Sequence, residues 1–391
     1  MIPYGRQDLS KNDIDAVIDV LNSDFLTQGP RVPEFEKAVC DKVGAKHAVA
    51  VNSATSALHI SCLALELGVG DILWTSPVTF VASANCALYC GARVDFVDIN
   101  PDTYNISVEQ LKLKLEQAEK LNQLPKILMA VHLAGQPCDM ERIWELSKKY
   151  GFLIIEDASH AIGGKYKNQY IGGCTYSHIS VFSFHPVKII TTAEGGMALT
   201  NSAVLANKMA LLRSHGITRK AEEMTRQPDG PWYYEQITLG FNYRMTELQA
   251  ALGLSQLERL DEFVAKRNVL ADRYDFLLRD LPIKLPQQSV DSYSSRHLYV
   301  IRLPFRSGEI HRPFFELMRK NGVGVNLHYM PVHLHPYYRE MGFENGNYPE
   351  SEKYYAEAIS LPLFSSMTYS QQDEVVNTIK LVLKIMSIEN D

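Results

Sequence analysis

From Ala45 to about Thr200 the chain alternates short apolar runs rich in β-branched residues with longer stretches whose apolar positions recur every three or four residues. HAVAVNS, DILWTS, RVDFVDI, KILMAVHLAG, FLIIEDAS and ISVFSFH read as buried strands. Between them, SALHISCLALELG, VASANCALYCG, SVEQLKLKLEQAEKLNQ and MERIWELSKKYG carry helical spacing. Such an alternation predicts an α/β fold with a mostly parallel central sheet and helices on both faces. Ligands on these sheets bind beyond the carboxyl ends of the strands. The run from Met245 to about Leu281 has no proline or internal stop, and predicts one long helix or two abutting ones. After Pro282, HLYVIRL and GVGVNLHYM read as short strands, and HRPFFELMRKNG and QQDEVVNTIKLVLKIMSI as helices. The expected organisation is therefore an amino-terminal arm and large domain over 1–244, a connecting helix over 245–281 and a small α+β domain over 282–391. Arg219–Glu235, dense in charge and aromatics, reads as a mobile excursion near the site.

Composition narrows the function classes. The chain has 391 residues, 46% of them apolar, which is enough to bury a core without disulfides or metal. Its 39 basic against 45 acidic residues give −6, with no block of like charge, and this argues against a nucleic-acid partner. No run approaches the ~20 apolar residues that span a bilayer. The amino terminus turns polar at its fifth residue, unlike a signal peptide, so a cytoplasmic protein is expected. Cys40, Cys62, Cys86, Cys90, Cys138 and Cys174 lie in apolar surroundings without a CxxC pair and are expected to be buried reduced thiols. His328, His333 and His335 have no carboxylate at ligand spacing, so no metal is expected.

Three stretches carry candidate chemistry. In VFSFHPVKIITTAEGGMALT a strand ends at Ser183-Phe184-His185, turns through Pro186 and delivers Lys188 into an apolar neighbourhood of Val187, Ile189 and Ile190. A lysine is ordinarily a solvated surface charge. Held inside, its amine is deprotonated more easily and becomes a nucleophile able to form a Schiff base. In FLIIEDASHAIGGKY a strand ends on Glu156-Asp157, where a carboxylate either caps the next turn or holds a protonated heterocyclic nitrogen. His160 is either a hydrogen-bonded loop residue or a member of the same crevice. In AVAVNSATSALHI a strand runs into small and hydroxyl residues that open a helix, as in an N-cap or an anion site. Neither GxxxxGK[ST] nor GxGxxG occurs.

The order of these stretches, with the aromatic-bearing SPVTFVASAN between them, resembles the fold-type I pyridoxal-phosphate (PLP) aminotransferases, and more narrowly the DegT-type nucleotide-sugar aminotransferases. The matching stretches are LTQGPRVPEFE, NSATSALH, EDASHAIGG, FSFHPVKIITTAEGG, LGFNYRMTELQAALG and GVGVNLHYMPVHLHPYY, spread over nearly the whole chain. They are most similar to the branch acting on UDP-linked 4-keto-6-deoxy-N-acetylhexosamines in pseudaminic acid biosynthesis. The resemblance implies Lys188 as the Schiff-base lysine and Asp157 as partner of the pyridinium nitrogen. It implies Ser183, with the amides and hydroxyls near Ala54, Thr55 and Ser56, on the cofactor phosphate. Phe80 would stack on the ring and His160 would approach its phenolic oxygen. Asn242 matches the residue that reaches the phosphate of the neighbouring subunit's cofactor, which implies a homodimer with shared sites. His328 and Tyr329 match a substrate-side pair. Thr27 and Gln28 match a loop that meets the sugar nucleotide, or form only a turn before Gly29-Pro30. Arg244 would meet the donor carboxylate or the substrate diphosphate, or stays a solvated surface residue.

The activity so implied is transfer of the amino group of L-glutamate to the C4 ketone of a nucleotide-linked sugar, with ping-pong kinetics. Three alternatives stand beside it. One is a dTDP- or GDP-linked sugar or reaction at C3. Another is a 3-dehydratase, in which histidine replaces the lysine that Lys188 supplies here. The third is a non-catalytic PLP-binding regulator.

Overall fold

The computed structural model describes residues 1–304 and 310–386. Helices α1 (Lys11–Leu21) and α2 (Arg31–Val43) precede the central sheet. Its strands are β1 (His47–Val51), β2 (Ile72–Thr75), β3 (Arg93–Phe96), β4 (Ile127–Val131) and β5 (Leu153–Asp157). A small flap, β6 (Lys165–Tyr166) and β7 (Gln169–Tyr170), separates these from β8 (Ile179–Ser183) and β9 (Gly196–Thr200). The spatial order is β1-β9-β8-β5-β4-β2-β3. Every pairing from β8 to β3 is parallel, and β9 runs antiparallel to both of its neighbours.

Strand periodicity sets the two cores. Ile127, Met129 and Val131 of β4 join one apolar cluster, and Leu128 and Ala130 join the other. The first cluster is covered by α3 (Ala54–Ala64) and α4 (Ala82–Tyr89). The second is covered by α2, α5 (Val108–Leu121) and α6 (Met140–Tyr150). Because both faces are covered, the strands read as continuous apolar runs rather than alternating ones. Helix α7 (Ala203–Arg213), a short hairpin of β10 (Ile217–Thr218) and β11 (Glu235–Gln236), and the segment over 237–246 follow.

The long pattern after Met245 resolves into two abutting helices, α8 (Glu247–Glu258) and α9 (Leu260–Leu278), which meet at Arg259. Leu260, Phe263 and Val264 pack into the large core, whereas Leu270, Tyr274 and Leu278 pack into a separate carboxyl-terminal core. One helix thus spans both. Strand β12 (Ser292–Tyr293) extends the β6-β7 flap, and β13 (Tyr299–Arg302) leads towards α10 (His311–Lys320). Helices α11 (Pro336–Arg339) and α12 (Pro349–Glu357), strand β14 (Ala358–Leu361) and α13 (Tyr369–Ile385) complete the fold.

GVGVNLHYM departs from its reading as a strand. It makes only isolated bridges, Ile2 with Val323 and Asn326 with Ser360. The reason lies in the amino-terminal arm. Ile2 N–H donates to Gly322 O at 2.8 Å and Gly324 N–H donates to Ile2 O at 2.7 Å. A Cβ on Gly324 would lie 2.8 Å from that same oxygen. The end of QQDEVVNTIKLVLKIMSI, residues 387–388, lies outside the described residues. All six cysteines are free, with Cys40 and Cys90 partly exposed and the rest buried. Among the described residues no helix is long and apolar enough to cross a membrane.

Candidate active site

A cavity of about 1000 Å³ opens where the carboxyl ends of β1, β4, β5 and β8 meet the carboxyl-terminal unit. The β1–α3 turn forms one wall. Ser53 is the N-cap of α3, and its hydroxyl accepts the Ser56 N–H at 3.1 Å. Ser56 in turn donates its hydroxyl to Asn52 Oδ1 at 2.7 Å. The cap therefore occupies Ser56 and leaves the N–H groups of Ala54 and Thr55 unpartnered among the described residues, at the positive end of the helix dipole. Gly196 lets this turn lie against β9, because a Cβ there would sit 2.5 Å from Ala54 N. Ser183, at the end of β8, lines the same cavity.

Lys188 enters from the loop after β8. Phe184 N–H donates to Gly195 O and Thr192 N–H donates to Phe184 O, both at 2.9 Å, so the loop closes on itself. Buried Ile189 and Ile190 anchor it in the core. Lys188 lines the cavity, and desolvation lowers its pKa to about 8 against the opposing attraction of Asp157. Asp157, 6% exposed, ends β5. Its Oδ2 accepts the Ser83 hydroxyl at 2.6 Å, and its Oδ1 accepts the Ser159 hydroxyl at 2.6 Å and N–H at 3.2 Å.

The opposite wall holds neutral polar groups. His160 Nδ1 accepts the Ala134 N–H at 3.3 Å, so the neutral ring carries its proton on Nε2, which lies 3.2 Å from the Tyr329 hydroxyl. Burial, reinforced by Lys188 and His328, keeps His160 well below the usual histidine range. Burial and Lys188 bring His328 to about 4, and burial raises Tyr329. The His297 ring lies 4.3 Å from that of His160, and its Nδ1 has no hydrogen-bond partner among the described residues. Tyr4, from the amino-terminal arm, faces His328 at 5.2 Å.

Of the candidates read from sequence, Ala54, Thr55, Ser56, Phe80, Asp157, His160, Ser183, Lys188, His328 and Tyr329 line this one cavity. Thr27, Gln28, Asn242 and Arg244 do not. Thr27 and Gln28 are exposed ahead of α2. Asn242 is exposed, although its segment runs behind the β1–α3 turn, with Asn52 N–H donating to Tyr243 O at 2.8 Å and Arg244 bridging to Val51. The Arg219–Glu235 excursion likewise lies outside the cavity of its own chain. His333 pairs with Glu352 at 3.0 Å, and no metal-binding cluster occurs among the described residues.

Sequence reasoning missed Tyr4, Ser83, Ser159, His297 and Asn326. Ser83 lies one helical turn beyond Phe80 and Ser159 two residues beyond Asp157, and those spacings were available signals. Asn326 likewise lies two residues before His328, whereas Tyr4 and His297 come from distant segments and carried none.

The residues fit PLP chemically: two unpartnered amides and a hydroxyl for a phosphate, a buried carboxylate for a ring N–H, and a desolvated amine for an aldehyde. A family model described as the DegT/DnrJ/EryC1/StrS aminotransferase family matches residues 7–380. The spore coat polysaccharide biosynthesis protein SpsC of Bacillus subtilis is 37% identical over 387 residues, 98% of this chain and 97% of its own length. The UDP-4-amino-4,6-dideoxy-N-acetyl-beta-L-altrosamine transaminase of Campylobacter jejuni is also 37% identical over 387 residues, 98% of each chain. Among solved structures, PseC of Helicobacter pylori, described as an aminotransferase involved in the biosynthesis of pseudoaminic acid, superposes with a TM-score of 0.89 at 34% identity. That match covers 98% of this chain and 99% of PseC.

Proposed function

The chain belongs to the DegT/DnrJ/EryC1/StrS aminotransferase family and is a PLP-dependent sugar aminotransferase of fold type I; from that premise we propose that L-glutamate is its amino donor and the C4 ketone of a UDP-linked 4-keto-6-deoxy-N-acetylhexosamine its acceptor, in the pseudaminic acid route. The observation that carries the chemistry is the meeting of Lys188, Asp157, Ser183 and the free amides of Ala54 and Thr55 in one cavity. End-to-end likeness to the altrosamine transaminase and to PseC supports the choice of sugar.

When bound, PLP supplies the electron sink for electrons released at the donor's α-carbon. The remaining work falls to the chain. Ala54 and Thr55 N–H groups and the Ser183 hydroxyl hold the phosphate, Phe80 covers the ring and Asp157 accepts the ring N–H. Lys188 Nζ, with its affinity for protons lowered, takes the α-proton of glutamate and in the return half delivers a proton to C4 of the sugar. His160 is held to Nε2–H by the Ala134 amide and directs that proton at Tyr329, which leaves the Tyr329 hydrogen free to meet a substrate oxygen. His328 and Tyr329 form the sugar side.

In this reading the working unit is a cytoplasmic homodimer, in which Asn242 reaches the neighbouring subunit's phosphate group and Thr27, Gln28 and Arg244 meet donor or nucleotide. Support comes from the position of all four outside their own cavity, with Thr27, Gln28 and Asn242 exposed, and from Trp232, Tyr234, Ile237 and Leu239, apolar side chains exposed along the same stretch of chain as Asn242. The test is a product assay with UDP-, dTDP- and GDP-linked 3- and 4-keto sugars and glutamate. Preferred turnover of the UDP-linked 4-ketone, with the new amine at C4 and 2-oxoglutarate released, is expected. Preference for another nucleotide or ring position overturns the assignment of the sugar.

A further inference from the structure

Asp157 and Lys188 are opposite charges facing one cavity, yet no ion pair joins them among the described residues. Both oxygens of Asp157 are instead engaged by hydroxyl donors. Ser83, 1% exposed, stands 2.6 Å from Oδ2 and 2.7 Å from the Thr79 hydroxyl. A carboxylate only accepts, so Ser83 must donate to Asp157 and Thr79 must donate to Ser83. The direction of the chain Thr79 to Ser83 to Asp157 is thereby set. Ser159 holds Oδ1 with two donors. The carboxylate is pinned on both oxygens from α4 and from the turn after β5, with lone-pair capacity remaining on Oδ2.

We propose that Thr79, Ser83 and Ser159 are positioning residues, a clamp that keeps the Asp157 carboxylate turned to the cavity and beyond ion-pairing reach of Lys188, so that the carboxylate serves the bound heterocycle and the lysine amine stays free. The proposal rests on the reading of Asp157 given above. Of the charged groups lining the cavity, Asp157 is the one whose attraction acts on Lys188. His160, His297 and His328, from the β5 turn and the carboxyl-terminal unit, are held neutral by burial. His185 shares the lysine's own loop and is also lowered, and Glu194 lies at the far end of that loop.

The test is the rate at which cofactor-stripped protein captures PLP, followed by absorbance across pH, because only the neutral amine attacks the aldehyde. The unaltered chain should show a midpoint near pH 8. Ser83→Ala frees the carboxylate to pair with Lys188, and its midpoint should rise by about one pH unit, a roughly tenfold slower capture below the midpoint. Ser83→Thr keeps the hydroxyl and should keep the midpoint. Thr79→Val removes the donor behind Ser83, should move the midpoint the same way by less, and carries the test should Ser83→Ala fail to fold. An unshifted midpoint in Ser83→Ala, or in Thr79→Val when that variant alone folds, overturns the clamp, as does an equal shift in Ser83→Thr. Asp157→Ala separates the two ideas, since retention of PLP as tight as in the unaltered chain overturns the reading of Asp157 itself. Altered retention in Asp157→Ala with an unshifted Ser83→Ala overturns the clamp alone.

Discussion

Lys188 combines desolvation, which pushes its ammonium down to about 8, with a hydrogen-bonded loop that places the side chain in the cavity lining. Borohydride reduction of the PLP-loaded protein, followed by peptide mapping, should therefore place the pyridoxyl group on Lys188, and Lys188→Ala should show neither that adduct nor transamination. For Asp157, replacement by asparagine preserves shape and removes charge. A hydrogen bond to a charged group is worth about 1.5–3 kcal/mol, and its value rises where it acts on charge developing during reaction. Asp157→Asn should retain the fold, with an unchanged circular dichroism spectrum, and lose at least ~10-fold in kcat. Turnover near that of the unaltered chain would mark Asp157 as a turn cap, the other reading its position at a strand end allows.

At the level of elements, the site depends on how closely the start of α3 approaches β9. Gly196 faces Ala54 N and the Ser53 carbonyl carbon, each 2.5 Å from where a Cβ would stand, and backbone atoms have no rotamer with which to yield. Gly196→Ala should therefore cost about 1–3 kcal/mol in thermal or denaturant unfolding and weaken PLP binding, because the displaced atoms carry the Ala54 and Thr55 amides. Ser53→Ala offers a comparison. It removes the cap, at about 1 kcal/mol, without forcing the turn away from β9, so its effect on PLP affinity should be smaller than that of Gly196→Ala.

Across the whole molecule, three histidines at the seam between the two cores are buried neutral. Their folded pKa values lie below the unfolded value of 6.5, at about 4 for His328. The unfolded chain thus binds more protons below pH 6.5, and stability is lost as pH falls from there towards 4. The slope is up to about 1.4 kcal/mol per pH unit for each histidine. Melting of cofactor-free protein between pH 6.5 and pH 5 should show this loss, with a shallower slope in His328→Asn. The shared-site dimer makes a separate prediction. Lys188→Ala chains mixed with Asn242→Ala chains should regain activity, since one site of each hybrid then receives both intact residues. The assay belongs at limiting PLP, where loss of one phosphate hydrogen bond, ~1–3 kcal/mol, is visible. Confirmed hybrids without activity would place Asn242 in its own subunit's chemistry.

The amino-acid sequence by itself determined the strand–helix alternation, the sheet class and the positions of Lys188, Asp157 and Ser183. Those features rest on local periodicity and on strand ends, which neighbouring residues encode. It determined less about the start of α3, where the letters of an N-cap and of an anion site coincide, and the three-dimensional arrangement assigns the cap to Ser53 and leaves Ala54 and Thr55 open. GVGVNLHYM read as a strand because its apolar spacing matches one, but the partner that prevents a ladder is Ile2, more than 300 residues away. The Ser83–Asp157 bond and the approach of Tyr4 to His328 were likewise decided only by tertiary structure. Each joins residues dozens to hundreds of positions apart, and no local pattern encodes a contact whose existence depends on how two cores close over one cavity.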